Sequence, residues 1–402
     1  MKKKVLFYCQ SLLGIGHYVR SREIVRALAA FDVCFVYGGE IIPGFGMPPG
    51  VEVIHLPALK SDANFQQLHL IDNQLNLAEV KARRQEQLLA IYERVQPAAI
   101  IIELYPFGRR MFDFELLPLL AQIQATTPSP KVICSLRDIL VARKNQAKFD
   151  DEACTLMNEY FDLLLIHSDP QFQRLDETFP RVNELKCEVR YTGFVAQSPW
   201  VRTHPACSAF EAAEAARPPA SSTQDACVPK RILVSIGGGR IGHELIECAI
   251  AASALLNTTH HLHILTGPHC PAEVYAQLQQ RLVAQPHITI ERFTPDFPAY
   301  LQQADLSLSM AGYNTCMDLV SARVRAIVYP FTGSDNQEQL MRARKLEQLG
   351  AVTVLTPEQL TPEQLAQLMQ QTLQAPRSTS SISLDLQGAA KTAQALAELL
   401  QA

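Results

Sequence analysis

Short, continuous apolar runs alternate along this chain with longer stretches in which apolar residues recur at helical spacing. KVLFYC precedes YVRSREIVRALAA. DVCFVYGG and VEVIHLP follow, and a long polar helix over about 73–95 leads into AAIIIEL, KVICSL, LLLIHS and EVRYTGF. Strands that are apolar throughout, rather than alternating, belong to parallel sheets covered on both faces by helices. Over 203–229 the alternation lapses into a segment rich in Ala, Pro and Ser, including ARPPASSTQDA, which reads as a linker. Beyond it the scheme restarts with RILVSI, HLHILTG, ITIERF, LSLSM, AIVYPF and AVTVL, and the chain closes on the amphipathic GAAKTAQALAELLQA. The pattern predicts an α/β protein of two doubly wound domains with a cleft between them. The N-terminal domain covers 1–202, the linker or insertion 203–229, the second domain 230–375 and a C-terminal helical segment 376–402.

Length agrees, since 402 residues exceed what one core usually carries. The formal net charge of -4 leaves no global basic field for nucleic acid. The ten cysteines include no C-x-x-C pair, which argues against a zinc site or disulfide framework and for a reducing, cytoplasmic setting. Cys9, Cys34, Cys134 and Cys248 lie in apolar segments and read as small core residues. The opening MKKK resembles the basic start of a signal peptide, but Gln10, Ser11 and two glycines interrupt the apolar run. It reads as a first strand with a basic tip. No apolar run reaches the ~18–20 residues that a membrane-spanning helix needs.

In open α/β sheets, ligands bind at the carboxyl ends of the strands. Three glycine-bearing loops stand there. In QSLLGIGHYV, Gly14 and Gly16 allow a sharp turn into a helix near Tyr18 whose N-terminus suits an anion, and His17 sits at the junction. A dinucleotide fingerprint needs glycine at 19, where Val19 stands, although Glu40 follows the second strand where a ribose-binding acid belongs. In SIGGGRIGHEL, Gly237, Gly239 and Gly242 do fit G-x-G-x-x-G, but the next strand ends in Thr266 and Gly267 without the confirming acid. Phosphate cradling by Gly238, Gly239 and Arg240 remains. The third loop, SMAGYNTCMD, opens a helix on small residues, with Asn314 in its first turn and Asp318 further in. YPFTGSDNQE then offers Asp335, Asn336, Gln337 and Glu338 after the following strand.

SMAGYNTCMD, YPF and DNQE together resemble the donor half of GT-B glycosyltransferases, most closely the bacterial N-acetylglucosaminyltransferases that complete the lipid-linked peptidoglycan precursor and the related diacylglycerol galactosyltransferases. That resemblance implies two Rossmann-like domains facing across a cleft. It implies that Ala311, Gly312 and Tyr313 face a diphosphate, that Asp318 binds ribose hydroxyls, and that Gln337 and Glu338 meet the sugar. Phe293 and Thr294 would line a uracil pocket. Gly16-His17 resembles the Gly-His that ends the family's N-terminal loop. The sequence departs from the pattern where Glu338 replaces a glutamine, where Ala311 replaces a serine, and where no proline follows His17. The specific motifs concentrate between about 232 and 345.

The reading that follows is transfer of a sugar from a nucleotide diphospho-sugar, a UDP-sugar by resemblance, to an unidentified acceptor hydroxyl. No D-x-D pair occurs, in accord with a metal-independent site, and no cofactor is expected beyond the donor itself. Inversion is what the family implies. His17 is the candidate general base, with Glu103 to orient it or to act as base. Arg109, Arg110, Arg137 and Asp138 are acceptor-side candidates, with strand-end salt bridges as their structural alternative. A nucleotide-sugar hydrolase or epimerase on the same fold is the rival reading, and an NAD-dependent oxidoreductase a more distant one. LLPLLAQI at 116–123 offers the one apolar stretch that suggests peripheral membrane contact, and a buried helix explains it equally well.

Overall fold

The structure is a computed structural model that describes residues 2–12, 14–61, 67–71, 76–143, 145–197, 229–333, 337–375 and 383–401. Residues 203–228 of the linker, and Asp335 and Asn336, lie outside these.

The apolar runs become two parallel sheets. The first takes β1 (Lys4–Cys9), β2 (Asp32–Tyr37), β3 (Glu52–His55), β6 (Ala99–Glu103), β7 (Lys131–Arg137), β8 (Leu163–His167) and β9 (Glu188–Tyr191), in the order β3-β2-β1-β6-β7-β8-β9. Between β3 and β6, β4 (Leu59–Ser61) and β5 (Leu68–Leu70) form a small antiparallel pair that the sequence pattern does not reveal. The second sheet takes β10 (Lys230–Ser235), β11 (His260–Leu265), β12 (Ile288–Glu291), β13 (Leu306–Met310), β14 (Ala326–Tyr329) and β15 (Thr353–Val354), in the order β12-β11-β10-β13-β14-β15. In each sheet the strand order reverses beside the first strand, between β1 and β6 and between β10 and β13. Such a reversal opens a crevice at the carboxyl edge. The two crevices belong to the loops that carry His17 and Gly312.

The helices are α1 (Gly16–Ala27), α2 (Leu77–Val95), α3 (Asp113–Ala125), α4 (Gln146–Tyr160), α5 (His243–Ser253), α6 (Ala272–Leu282), α7 (Phe297–Gln303), α8 (Tyr313–Ala322), α9 (Glu338–Gln348), α10 (Pro362–Gln374) and α11 (Gly388–Gln401). The long polar helix begins at Leu77 because Asn76 and Glu79 form a reciprocal capping box. LLPLLAQI lies within α3, and its Leu116, Leu119, Leu120 and Ile123 are buried in the first domain's core. Burial in the core accounts for these four residues, while Leu117 and Pro118 stay partly exposed. Among the described residues no helix is long and apolar enough to cross a membrane. The C-terminal helix crosses back: Ala395 and Leu396 of α11 pack in the cluster that holds Tyr18, Val19 and Ile24 of α1. Gly193, at φ +80°, lies against Asp385 too closely for a side chain, and Phe194 and Gly388 bond backbone to backbone. The two segments that pass between the domains thus run side by side.

A polar pillar holds the first loop. Fully buried Arg84 and Glu115 form an ion pair, which is tolerable in a core only when the remaining donors are also satisfied. Arg84 Nη2 donates to Gln10 Oε1 at 2.8 Å, and Gln10 Nε2 donates to the carbonyls of Ser11 and Gly38, each at 2.8 Å. The turn before Gly14 therefore rests on side chains from α2 and α3.

Candidate active site

α1 begins at Gly16 with no side-chain cap and no acid in its first turn. The helix geometry puts His17 and Arg20 on one face, three residues apart. Both reach Glu103, the last residue of the neighbouring strand β6. His17 Nδ1 lies 2.7 Å from Glu103 Oε1, and Arg20 Nη2 pairs with the same oxygen. A carboxylate partner assigns the proton to Nδ1, so the Arg20 nitrogen at 3.5 Å from that atom is a charge neighbour rather than a donor to it. Nε2 makes no hydrogen bond among the described residues. The His17 side chain is 18% exposed.

Burial is the largest influence on His17 and lowers its pKa to about 3. Arg109 and Arg20 add to the depression and Glu103 opposes it. Burial alone would raise Glu103, but His17, Arg20 and Arg109 outweigh it and hold the carboxyl down at about 2. The imidazole is neutral and the carboxylate ionised across the physiological range. Arg109, 9% exposed, donates from Nε to the Gln10 carbonyl at 2.9 Å. Sequence reasoning found His17 and Glu103 but missed Arg20, whose spacing of three from His17 on a helix was the available signal.

The second domain meets this site directly. α8 follows Gly312, a cap position with no side chain to offer, and Asn314 Nδ2 donates to the Gly16 carbonyl at 2.8 Å. A Cβ on Gly238 would stand 3.0 Å from the Gly14 Cα, so the two glycine loops touch. Gly239, at φ +89°, leaves no room for a side chain against the Thr266 carbonyl. Ala311 is buried. Arg240 pairs across the cleft with Glu40, and His269 lies 3.6 Å from the same carboxylate. Glu40 is thus engaged by the second domain. A small cavity here is lined by Ser11, Tyr37, Glu40, Leu59, Arg240 and His269.

Several of the expected ligand groups have protein partners. Asp318 is 1% exposed, and its two oxygens accept from the Gln197 backbone at 3.0 Å and the Gln197 side chain at 2.7 Å. Gln197 thus holds both oxygens of the residue expected at the ribose, and burial raises its carboxyl to about 7. The Tyr313 ring is buried between domains, its hydroxyl donating to the His167 carbonyl and accepting from the Val195 amide, each at 2.9 Å, so only its backbone can face a diphosphate. Glu338 pairs with Arg137 and Arg342, both at 2.6 Å. Asp138 is fully buried and takes two bonds of 2.7 Å from Arg342. Asp138, an expected acceptor-side residue, therefore joins the two domains through Arg342. Arg110 pairs with Asp113 and Glu152. Phe293 packs edge-on to Phe45 with ring centres 5.2 Å apart, and buried Thr294 accepts from the Asp296 amide. Gln337 immediately precedes α9, and Asp335 lies outside the described residues. Among the described residues no cluster of three His, Cys, Asp or Glu is placed to hold a metal ion.

Residues 232–399 match the glycosyltransferase family 28 C-terminal domain. The UDP-N-acetylglucosamine--N-acetylmuramyl-(pentapeptide) pyrophosphoryl-undecaprenol N-acetylglucosamine transferase of Acidithiobacillus ferrooxidans is 32% identical over 171 residues, 41% of this chain and 46% of that protein. The chain thus spans about half the length of such curated relatives. Two solved structures superpose over nearly everything. The spinosyn forosaminyltransferase covers 100% of both chains at 13% identity and a TM-score of 0.62. MurG of Acinetobacter baumannii covers 99% of both at 16% identity and a TM-score of 0.54. These likenesses fix the architecture: residues 232–399 are similar to the glycosyltransferase family 28 C-terminal domain, and the chain adopts the two-domain GT-B fold of the solved glycosyltransferases.

Proposed function

We propose that the chain transfers a sugar from a nucleotide diphospho-sugar, of the UDP class, to an acceptor hydroxyl, with inversion at the anomeric carbon and without a metal ion. The observation that carries this is the juxtaposition across one crevice of a neutral histidine, backed by an ionised carboxylate, with the uncapped start of α8. The diphosphate faces the backbone of Ala311, Gly312 and Tyr313, with the Gly238 and Gly239 turn beside it. The sugar lies toward Gln337 and Glu338, and Phe293 and Thr294 stand on the side of the base.

The chemistry balances without a cofactor. The acceptor oxygen bonds to the anomeric carbon as that carbon's bond to the diphosphate breaks, and the electron pair leaves on the nucleoside diphosphate. Amide groups at a helix N-terminus stabilise that growing charge, and losing one well-placed donor of this kind costs ~3 kcal/mol of barrier. The acceptor proton passes to His17 Nε2. Glu103 holds Nδ1–H, fixes the tautomer and faces the imidazolium that forms. The acceptor oxygen becomes more acidic as it bonds to carbon, so a base of low pKa can take its proton late. Free, mostly buried cysteines suit a cytoplasmic setting, and the acceptor class is open to a small molecule, a lipid or a protein side chain.

The test is a thermal-shift panel with UDP, TDP, GDP and NAD, followed by product analysis with UDP-sugars. Ligand at a hundredfold its dissociation constant stabilises by ~2.7 kcal/mol. Stabilisation by UDP that is lost in Gly312→Pro supports the donor site. Stabilisation by NAD alone rejects it, and rapid release of free sugar without acceptor favours the hydrolase.

A further inference from the structure

A line of direct contacts joins the proposed base to the second domain. Arg20 lies on the face of α1 that carries His17, is 2% exposed, and pairs through Nη2 with the same Glu103 oxygen that His17 holds. Among the described residues it is the one permanent cation in contact with Glu103. The other groups facing that carboxyl are more distant or neutral. Arg109, in the turn after β6, acts from beyond ion-pair distance. Burial raises the thiols of Cys9 and Cys134, and burial pushes His167 of β8 down to about 3. The ion pair is a single-point contact: Arg20 Nε and Glu103 Oε2 are buried and make no hydrogen bond. A ring from the other domain covers the guanidinium. Arg20 Cζ stands 5.2 Å from the centre of the Tyr313 ring, within reach of a cation–π contact. The Tyr313 hydroxyl is tied to the His167 carbonyl and the Val195 amide, which fixes the ring, and Arg342, paired with Asp138, lies over the same ring at 5.5 Å. Tyr313 is also the first residue of α8, and its neighbour Asn314 bonds the Gly16 carbonyl, one residue before His17. Two consecutive side chains at the start of α8 therefore reach the start of α1.

We propose that Arg20 is a positioning residue for the base, holding Glu103 against His17 Nδ1, and that the Tyr313 ring makes this hold depend on the docked second domain. The inference rests on His17 acting as base in the proposed function. A buried carboxylate needs a countercharge, and a neutral imidazole supplies none until the acceptor proton arrives. Arg20 supplies it in the resting site. One bond restrains the angle of a guanidinium far less than a bidentate fork does, so a flat surface against it sets its plane. That surface belongs to the residue whose backbone, in the proposed function, faces the diphosphate. Donor and base are thereby linked through one side chain on each domain.

Two readouts on the full chain test this in Arg20→Gln, Arg20→Lys and Tyr313→Leu: steady-state transfer from a UDP-sugar, and an NMR titration of the His17 ring nitrogens, assigned with His17→Ala. We expect Arg20→Gln to lower kcat by about tenfold or more, a part of what a general base supplies, with the donor KM unchanged. It should also move the His17 titration, and with it the acid limb of kcat/KM, to higher pH, because a positive charge that opposes the imidazolium is gone. Arg20→Lys keeps the charge and should keep the wild-type limb. Tyr313→Leu should move the titration the same way by less. A His17 that titrates in Arg20→Gln as it does in the wild type overturns the inference, whatever the activity. A shift in Arg20→Gln with none in Tyr313→Leu overturns the dependence on the second domain. Where Arg20→Gln fails to fold, Tyr313→Leu decides with the ion pair still in the chain, and an unmoved titration overturns the inference. A wild type that transfers no sugar, or a His17→Ala that transfers as fast as the wild type, removes the reading on which the inference rests, whereas an unmoved titration in an active chain overturns the inference alone.

Discussion

At the scale of single residues, His17 and Asp318 titrate in opposite senses for the same reason. Burial disfavours the charged form, so the imidazole is pushed down to about 3 and the carboxyl up to about 7. A base held neutral by its surroundings loses activity only when pH falls through its lowered pKa. The acid limb of kcat/KM should therefore lie below the ordinary histidine value of about 6.5, and a limb centred near that value would show that His17 is not the base. His17→Ala should reduce kcat by about 10²–10⁴-fold under saturating donor, while near-wild-type turnover would end its role. For Asp318 the folded state holds a proton that the unfolded chain has released, so its contribution to stability declines as pH rises from about 4 towards 7. Chemical denaturation of the wild type and Asp318→Asn across that range should show the wild type's relative advantage shrinking with rising pH. A constant difference would mean that the Gln197 bonds keep the carboxyl ionised throughout.

At the scale of elements, the sequence made the strands and their junctions legible because parallel strands buried on both faces are apolar at every position. KVLFYC, AAIIIEL and LSLSM needed no partner to be read, and glycine before a helical period marked the loops that carry His17 and Gly312. Pairings set by tertiary contact were illegible. Nothing local links Gln197 to Asp318, or Arg137 to Glu338, since each joins residues more than a hundred positions apart on different domains. The short β4–β5 pair escaped because neither strand is long enough to show a period. Where two elements touch through glycine, the consequence can be stated. Gly238→Ala places a methyl 3.0 Å from the Gly14 Cα, a backbone atom that cannot swing aside. It should raise the donor KM by about tenfold, ~1.4 kcal/mol, with little loss of thermal stability. An unchanged KM would mean that the two loops part before the donor enters.

At the scale of the whole molecule, the domains are joined by more than the linker. Asp138 at the end of β7 and Arg342 on α9 form a fully buried bidentate pair, and Lys345 of the same helix reaches Glu177. Burying two charges costs much of what their attraction returns, so the pair contributes little to net stability compared with an apolar contact of the same shape. Breaking it from one side is different, because the survivor stays buried without a partner. Asp138→Asn should therefore destabilise the chain by about 3–5 kcal/mol. Asp138→Leu combined with Arg342→Met should recover much of that loss. The pair is also directional: two bonds of 2.7 Å to one carboxylate fix α9, and with it Glu338, against the end of β7. Denaturation and donor titration of the single and double variants separate the two roles. If the double variant regains stability but binds donor poorly, the buried pair sets the geometry of the cleft. If it regains both, the pair is dispensable, and α9 is positioned by the apolar packing of Ala343 and Leu346 beneath it.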